Sequence, residues 1–140
     1  TGLGKISDSA PYWLGVSYHH WGLIFFGIVL AFILVKFRPH RLFAAAALIN
    51  FASFLLLTRM HERYLLPSLA FLLLWAGTKR SLLAVFIFLS GFYWLNLYHN
   101  WWAPRIPFLV TWLGSPDTIT LLIVFAFASF TWLILRYDQA

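Results

Sequence analysis

The stretch Arg59-Met60-His61-Glu62-Arg63-Tyr64 separates two of the most apolar runs of the chain, residues 42–57 and residues 65–76. Four of these six side chains can carry charge. An ionisable side chain at membrane depth costs about 2.5–3.5 kcal/mol on insertion scales, and such residues usually mark function. The six residues, called the charged stretch below, are therefore the first candidates for a functional site.

The composition indicates an integral membrane protein. Of 140 residues, 62% are hydrophobic and only 10% are charged, and the mean hydropathy is +0.82. A soluble domain carries about 25% charged residues. Apolar runs approach the length of about 20 residues that spans a bilayer, and lipid cannot satisfy an exposed backbone, so the runs are expected to be helices. The predicted fold is all-α and polytopic, with about five transmembrane helices.

Five apolar segments are predicted to form these helices. Their ranges are residues 13 or 21 to 35, 42–57, 60 or 65 to 76, 82–97 and 119–135. The second run gives about 24 Å of helix at 1.5 Å per residue, less than a hydrocarbon core of about 30 Å. Either the bilayer thins locally, or the neighbouring helices continue into the charged stretch just below the outer interface. Pro67 fits the first turn of the third helix.

Charge and aromatic residues predict the orientation of the chain. One side of the bundle would hold Lys36, Arg38, Arg41, Lys79, Arg80 and Arg136, and the other Lys5, Arg59, Arg63 and Arg105. By the positive-inside tendency the first side is cytoplasmic, so the charged stretch faces outward. Two predicted interfacial belts lie on that outer side, formed by Tyr12, Trp13, Tyr18, Trp21, Tyr98, Trp101, Trp102 and Trp112. The net charge of +6 is therefore attributed to basic residues in the short loops between membrane-spanning segments, and no nucleic acid is expected as a partner.

Other features restrict the class of protein further. The chain has no cysteine, which excludes disulfides and thiolate metal sites. It begins at Thr1 without a charged region before its first apolar run, so no signal peptide is expected. We expect an internal or C-terminal part of a larger protein, with residues 1–140 forming one helical module.

The charged stretch has the residue types of a phosphate site. Arg59 and Arg63 are four residues apart and would share one face of a helix, where they repel unless an anion lies between them. A guanidinium group can bind a phosphate by donating two parallel hydrogen bonds to its oxygens. His61 would bond a phosphate oxygen or move a proton, and Glu62 would orient an arginine or accept from a sugar hydroxyl. The alternative is an interfacial loop with an ion pair and snorkelling arginines.

Polar residues elsewhere suggest weaker candidates. His19, His20 and Arg105 are expected on the substrate face, and a divalent metal held by His19, His61 and His99 is a competing interpretation. No His-x-x-x-His pair supports that metal, so none is assigned. The loop 98–117 holds several prolines, which argue against a regular helix throughout. Three polar residues within apolar runs are expected to join helices: Asn50, Ser53 and Asn96.

At three places the chain resembles a known family. Thr58-Arg59-Met60-His61-Glu62-Arg63-Tyr64-Leu65-Leu66-Pro67 resembles the Met-His-Glu-Arg-Tyr-x-x-Pro signature of bacterial integral-membrane mannosyltransferases related to the GPI-anchor mannosyltransferases. These enzymes belong to the GT-C class. The stretches Leu14-Gly15-Val16-Ser17-Tyr18-His19-His20-Trp21-Gly22 and Asn96-Leu97-Tyr98 resemble the same family in order and spacing.

The resemblance implies a glycosyltransferase module at the extracytoplasmic face of a bacterial inner membrane. The donor would be a polyprenyl-phosphate-linked sugar, such as mannose, and the acceptor a glycan, lipid or protein. Carried over by residue, Arg59, His61 and Arg63 would bind the donor phosphate, with Glu62 and Tyr64 in support. The family's catalytic acidic residue lies in an earlier outer loop, so no catalytic residue is expected in this chain and its partner is the N-terminal rest of the enzyme. The alternative function is a non-catalytic membrane assembly or transporter subunit.

Overall fold

The computed structural model describes residues 9–58, 62–77 and 80–138 of the chain. Helices dominate these ranges: α1 Tyr18–Val35, α2 Leu42–Leu56, α3 Leu66–Ala76, α4 Arg80–Trp101, α5 Pro107–Leu113 and α6 Pro116–Tyr137. Short 3-10 turns, Pro39–Arg41 and Glu62–Leu65, lead into α2 and α3. An antiparallel ribbon of β1 Pro11–Trp13 and β2 Val16–Ser17 precedes α1. The predicted all-α architecture is confirmed, and the ribbon is a small addition to it.

Most of the predicted spanning segments are long enough to cross a membrane. Within the described residues four helical segments qualify by length and composition: Tyr18–Val35, Pro39–Leu56, Arg80–His99 and Pro116–Tyr137. The third predicted segment differs, because α3 has 11 residues and extends only about 16 Å. The Glu62–Leu65 turn precedes it. Among the predicted spans, the described residues therefore form four long apolar segments and one short helix, α3, which follows the end of the charged stretch.

Helix α2 is the centre of the packing. It contacts α1, α3 and α6, while α4 packs against α3 and α6. Between α2 and α6 the ring of Phe51 meets the ring of Phe130 edge-on, with centroids 5.4 Å apart. The face of α2 that its neighbours cover is rich in small side chains: Ala44, Ala45, Ala47 and Ala52 are all buried. Small residues let helices approach closely, which matters in lipid because packing there replaces the hydrophobic driving force.

A hydrogen bond between α2 and α3 comes from a residue that the sequence did not single out. Ser68, buried near the start of α3, donates from Oγ to the carbonyl oxygen of Ala47 in α2, at 2.9 Å. Asn50 and Ser53, predicted to join helices, bond within α2 to Ala46 O and Asn50 O, both at 2.8 Å. The carbonyl one turn earlier in the same helix is the nearest acceptor for such short side chains. For these two residues the prediction was wrong.

One end of the bundle, which we call the Asp138 end, is closed by charged groups. Lys36, just past α1, pairs with the Asp138 carboxylate just past α6. Arg41 donates to the Asp138 main-chain oxygen at 2.8 Å, to its carboxylate at 3.4 Å and to Lys36 O at 3.2 Å. The buried Tyr137 donates to Ile33 O at 3.3 Å. The last turns of α1 and α6 and the first turn of α2 are thereby tied together.

These contacts agree with the predicted grouping of basic residues. Lys36, Arg38 and Arg41 lie in the connection between α1 and α2, and Arg136 lies in the last turn of α6 over the ring of Trp132. Four of the six residues predicted to share one side are therefore at the Asp138 end. Lys79 is outside the described residues.

Replacing Asp138 by Asn should loosen this end. The substitution removes the charge that Lys36 and Arg41 share, while the bond from Arg41 to the main-chain oxygen of residue 138 remains. Because the carboxylate is half exposed, we expect a loss of about 1 kcal/mol or less, or roughly 2–4 °C in Tm. Thermal unfolding in detergent measures it. Arg38→Gln, which removes an exposed charge from the same connection, is the control, and equal Tm values for the two variants would contradict the prediction.

Candidate functional site

At the opposite end of the bundle α1 meets the end of α2 at a glycine. A Cβ atom built on Gly22 would lie 2.1 Å from the carbonyl oxygen of Leu56, the last residue of α2. No side chain fits at that distance, because the atom in the way belongs to the backbone. Gly22 therefore sets how closely the first turns of α1 approach the last turn of α2.

One turn before Gly22, His19 reaches the residue that precedes the charged stretch. Its Nδ1 lies 2.8 Å from Oγ1 of Thr58, 39 positions along the chain. Depending on the tautomer, either the hydroxyl or the ring N–H donates. Positions 19 and 22 lie on one face of α1, so the hydrogen bond and the close approach act on the same side of the helix. Residues His19, Gly22, Leu56 and Thr58 define what we call the Thr58 end.

His20, the second histidine predicted on the substrate face, has a local role. Ser17 caps α1 by accepting from the backbone N–H of His20 at 3.5 Å, and the same hydroxyl lies 2.7 Å from His20 Nδ1. The hydroxyl can accept from the backbone and donate to the ring at once. Of the two adjacent histidines, His19 reaches across to α2 and His20 completes the helix cap, as expected for side chains about 100° apart on a helix.

The charged stretch is described from Glu62 onward. Arg59 and His61, two of the predicted phosphate ligands, lie outside the described residues. The backbone of Glu62 and Arg63 belongs to the Glu62–Leu65 turn, which packs against α2, α3 and α4. Leu65 is fully buried there and Tyr64 is 46% exposed. The turn is therefore held by three helices.

The helix that follows begins as predicted. Pro67 lies in the first turn of α3, where the missing N–H costs no helical hydrogen bond. Because α3 starts directly after the turn, the short helix continues the chain from the end of the charged stretch into the buried core.

A separate loop carries Arg105, the third residue predicted on the substrate face. The buried Tyr98 accepts from the N–H of Ile106 at 2.6 Å through its hydroxyl, and it stacks on Trp94 with ring centroids 5.6 Å apart. Arg105, adjacent to Ile106, is exposed in the loop of residues 102–106. Tyr98, the last residue of the third family-like stretch, thus fastens this loop to α4.

Prolines in this region start helices as well as interrupt them. Pro107 lies in the first turn of α5 and Pro116 in the first turn of α6. The region between α4 and α6 therefore contains a helix, which is more regular than the prolines suggested. A proline in a first turn has the right φ and lacks only an N–H that would be unpaired there anyway.

The described residues do not form a metal site. Among residues 9–58, 62–77 and 80–138, no group of three His, Asp or Glu side chains is arranged to hold a metal ion. His99, a predicted ligand of the competing metal site, lies against the ring of Trp102 with centroids 5.1 Å apart. His61, the second ligand of that site, is outside the described residues, so the divalent metal stays an untested alternative.

Comparison with family models, with curated proteins and with solved structures found no match to this chain. Sequence reasoning missed the contact between His19 and Thr58, because no local pattern pairs residues that far apart. Gly22 could have been found, since a glycine within a helical pattern often marks a close backbone approach.

Gly22→Ala should separate α1 from α2. The added methyl cannot coexist with Leu56 O, and overpacking of this kind typically costs about 1–3 kcal/mol. We expect a lower thermal midpoint in detergent. Gly27→Ala is the matched control in the same helix, since a Cβ at Gly27 has nothing within 4 Å. A Gly22→Ala protein as stable as Gly27→Ala would show that the close approach is not required.

Proposed function

We propose that this chain is the donor-binding module of a membrane glycosyltransferase that uses a polyprenyl-phosphate-linked sugar. The charged stretch would hold the phosphate, with Arg59, His61 and Arg63 as ligands and Glu62 and Tyr64 in support. The reaction would take place at the extracytoplasmic face of a bacterial inner membrane, with mannose as the expected sugar. The family resemblance of the ten residues from Thr58 to Pro67 suggests this substrate class.

The observation that carries the proposal is the contact between His19 and Thr58. It joins two of the three family-like stretches, which are far apart in sequence, at 2.8 Å. The third stretch, Asn96-Leu97-Tyr98, lies in α4, which packs against the Glu62–Leu65 turn. Three stretches selected for their resemblance to one family thus belong to elements in mutual contact. A shared site gives a reason for this arrangement.

The position of the turn also suits a lipid-linked phosphate. The Glu62–Leu65 turn is surrounded by apolar helices, so a prenyl chain could lie against helix surfaces that expose large apolar side chains. Leu66, the residue that directly follows the turn, is an exposed apolar side chain of α3. An amphiphile of this type needs cationic groups beside apolar surface, and the sequence supplies both within a few residues.

In the proposed transfer, an acceptor hydroxyl oxygen attacks the anomeric carbon of the donor sugar. The bond between that carbon and the phosphate oxygen breaks, and polyprenyl phosphate leaves with the electron pair. The hydroxyl proton passes to a base that the proposal assigns to the N-terminal part of the enzyme. Arg59 and Arg63 would stabilise the charge that builds on the leaving phosphate, which is the part of catalysis that fixed cationic groups supply.

Binding of a short prenyl phosphate tests the proposal. Farnesyl phosphate should bind the protein in lipid nanodiscs, while farnesol and inorganic phosphate should each bind at least about 10-fold more weakly, since the site needs both halves of the ligand. Arg63→Gln should weaken farnesyl phosphate binding by about 10-fold or more, and Arg63→Lys by less, because Lys keeps the charge but not the paired hydrogen bonds. Isothermal titration measures these affinities.

Arg38→Gln is the control for this series, because it removes an exposed arginine at the Asp138 end. Equal affinity of Arg63→Gln and the unaltered protein would contradict the phosphate assignment. In the complete enzyme, unchanged sugar transfer by both Arg63→Lys and His61→Ala would favour the alternative function, a non-catalytic assembly or transporter subunit.

A further inference from the structure

The Asp138 end carries more positive than negative charge. Four cationic side chains lie there, those of Lys36, Arg38, Arg41 and Arg136. Of the side chains that the structure describes at this end, Asp138 supplies the one carboxylate. Arg41 is engaged within the bundle, since its terminal nitrogens donate to Asp138 and to Lys36 O and its side chain is only 17% exposed. The other three cations are more accessible, so an excess of positive charge remains for an anionic partner.

The length of α6 places this charge at the level of lipid headgroups. Its 22 residues extend about 33 Å, and the hydrocarbon core of a bilayer is about 30 Å thick. Arg136, in the last turn, therefore lies at one edge of the hydrocarbon. The bond of Tyr137 to Ile33 O and the pairing of Asp138 with Lys36 hold the end of α1 at the same level. Cations of both helices thus lie at the depth of the lipid phosphates.

On each of these two helices the cation lies over an aromatic ring one turn nearer the bilayer centre. Lys36 Nζ is 4.7 Å from the ring centroid of Phe32, and the guanidinium carbon of Arg136 is 5.1 Å from that of Trp132. A ring below a cation attracts it, and the apolar stem of the side chain stays in the hydrocarbon while the charge reaches the surface. Tryptophan itself is favoured at that depth. The two cations are therefore supported at the membrane surface.

Beside these cations the helices expose large apolar side chains. Leu34 and Val35, at the end of α1, are 58% and 82% exposed, and Leu135, next to Arg136, is 70% exposed. A free phosphate would use only the cations. A phospholipid uses both features, because its headgroup carries charge and its acyl chains are apolar. The combination therefore favours a lipid over a soluble anion.

We propose that the Asp138 end binds an anionic phospholipid, whose headgroup is held by Lys36 and Arg136 and whose acyl chains lie along the last turns of α1 and α6. Asp138 competes with the lipid phosphate, because its carboxylate pairs with Lys36. The site does not depend on the proposed donor site, which belongs to the opposite end of the bundle. Either assignment can therefore fail without the other.

Two lipids with the same acyl chains test the proposal. Dioleoyl phosphatidylglycerol has a net negative charge, whereas dioleoyl phosphatidylcholine is neutral overall. Each is titrated into the detergent-solubilised protein, and native mass spectrometry counts the bound molecules. We expect one phosphatidylglycerol to bind at least about 10-fold more tightly than phosphatidylcholine. Glycerol 3-phosphate, which has the phosphate but no acyl chain, should not bind at the same concentration.

Single substitutions locate the site. Lys36→Gln and Arg136→Gln should each weaken phosphatidylglycerol binding by about 5-fold, the effect of one basic residue near a lipid surface. Arg105→Gln is the matched control, because it removes an exposed arginine near the start of α6, at the opposite end, and should change nothing. Asp138→Asn should strengthen binding by a similar factor, since it removes the competing carboxylate. This gain is opposite in direction to the loss of Tm expected for the same variant.

Charge-conserving variants separate lipid binding from folding. Lys36→Arg and Arg136→Lys should retain the preference for phosphatidylglycerol, and they replace the glutamine variants if those fail to fold. The preference is taken as a ratio to phosphatidylcholine in the same variant, so a general loss of stability cancels.

Equal affinity for the two lipids would overturn the proposal. So would equal losses in Arg105→Gln and in the two glutamine variants, which would indicate a general attraction of lipid to basic residues. Tight binding of glycerol 3-phosphate would identify a soluble phosphate as the ligand and would also contradict it. If Asp138→Asn binds phosphatidylglycerol no more tightly than the unaltered protein, the carboxylate does not compete with the lipid and this arrangement of the site is wrong.

Discussion

Hydrocarbon gives the backbone no hydrogen-bonding partner, and this constraint determines where the polar groups of the chain lie. The long helices satisfy their own backbone, and the described side-chain bonds between buried helix residues, from Ser68 to Ala47 and from Tyr137 to Ile33, each end on a carbonyl oxygen. The other ties between helices form where helices begin or end, at Asp138 and at Thr58. The charged stretch of six residues is also found near a helix end, because it begins three residues after Leu56, the last residue of α2.

The two ends of the bundle handle polar groups differently. At the Asp138 end, Lys36 and Arg41 share one carboxylate, and Arg41 also donates to the carbonyl oxygens of residues 36 and 138. These carbonyl groups follow the ends of α1 and α6, and a cation is stabilising at a helix C-terminus. At the Thr58 end, the described ties between α1 and α2 and within the α1 cap use imidazole and hydroxyl groups. A carboxylate therefore compensates part of the positive charge at the Asp138 end, whereas no carboxylate takes part in the described ties at the Thr58 end.

The sequence predicted the helical architecture, the start of α3 around Pro67 and the common end of Lys36, Arg41 and Arg136. Each follows from local information: run length, the φ of proline and the reversal of direction at each short connection. The ribbon before α1 was not predicted. Its turn places Leu14 at φ 56° and Gly15 at φ 72°, in the left-handed region. Of these two residue types, only glycine adopts that region readily enough to be a signal in the sequence. Helix α5 was missed because the same proline that interrupts a helix can begin one.

The candidate site was predictable only in part, for a related reason. Residue types within the charged stretch suggest phosphate, but the contact of His19 with Thr58 depends on how α1 lies against α2. That placement comes from Gly22 and Leu56, whose relevance appears only when the two helices are docked. Asn50 likewise had the right type for an interhelical bond and found its acceptor, Ala46 O, in its own helix. Residue type indicates capacity, whereas packing decides which partner is within reach.

The contact of His19 with Thr58 is one of the few described hydrogen bonds that attach α1 to the rest of the bundle. The middle of this helix presents large apolar side chains outward, such as Phe25 at 50% and Ile28 at 60% exposure. Near its ends the helix is attached by Gly22 and His19 on one side and by the bond of Tyr137 to Ile33 O on the other. Between these attachments the opposite face of the helix packs against the buried core through Phe26, Val29 and Phe32. Because α1 is packed along its length, a change at His19 should act on Thr58, the residue before the charged stretch, more than on the position of the helix.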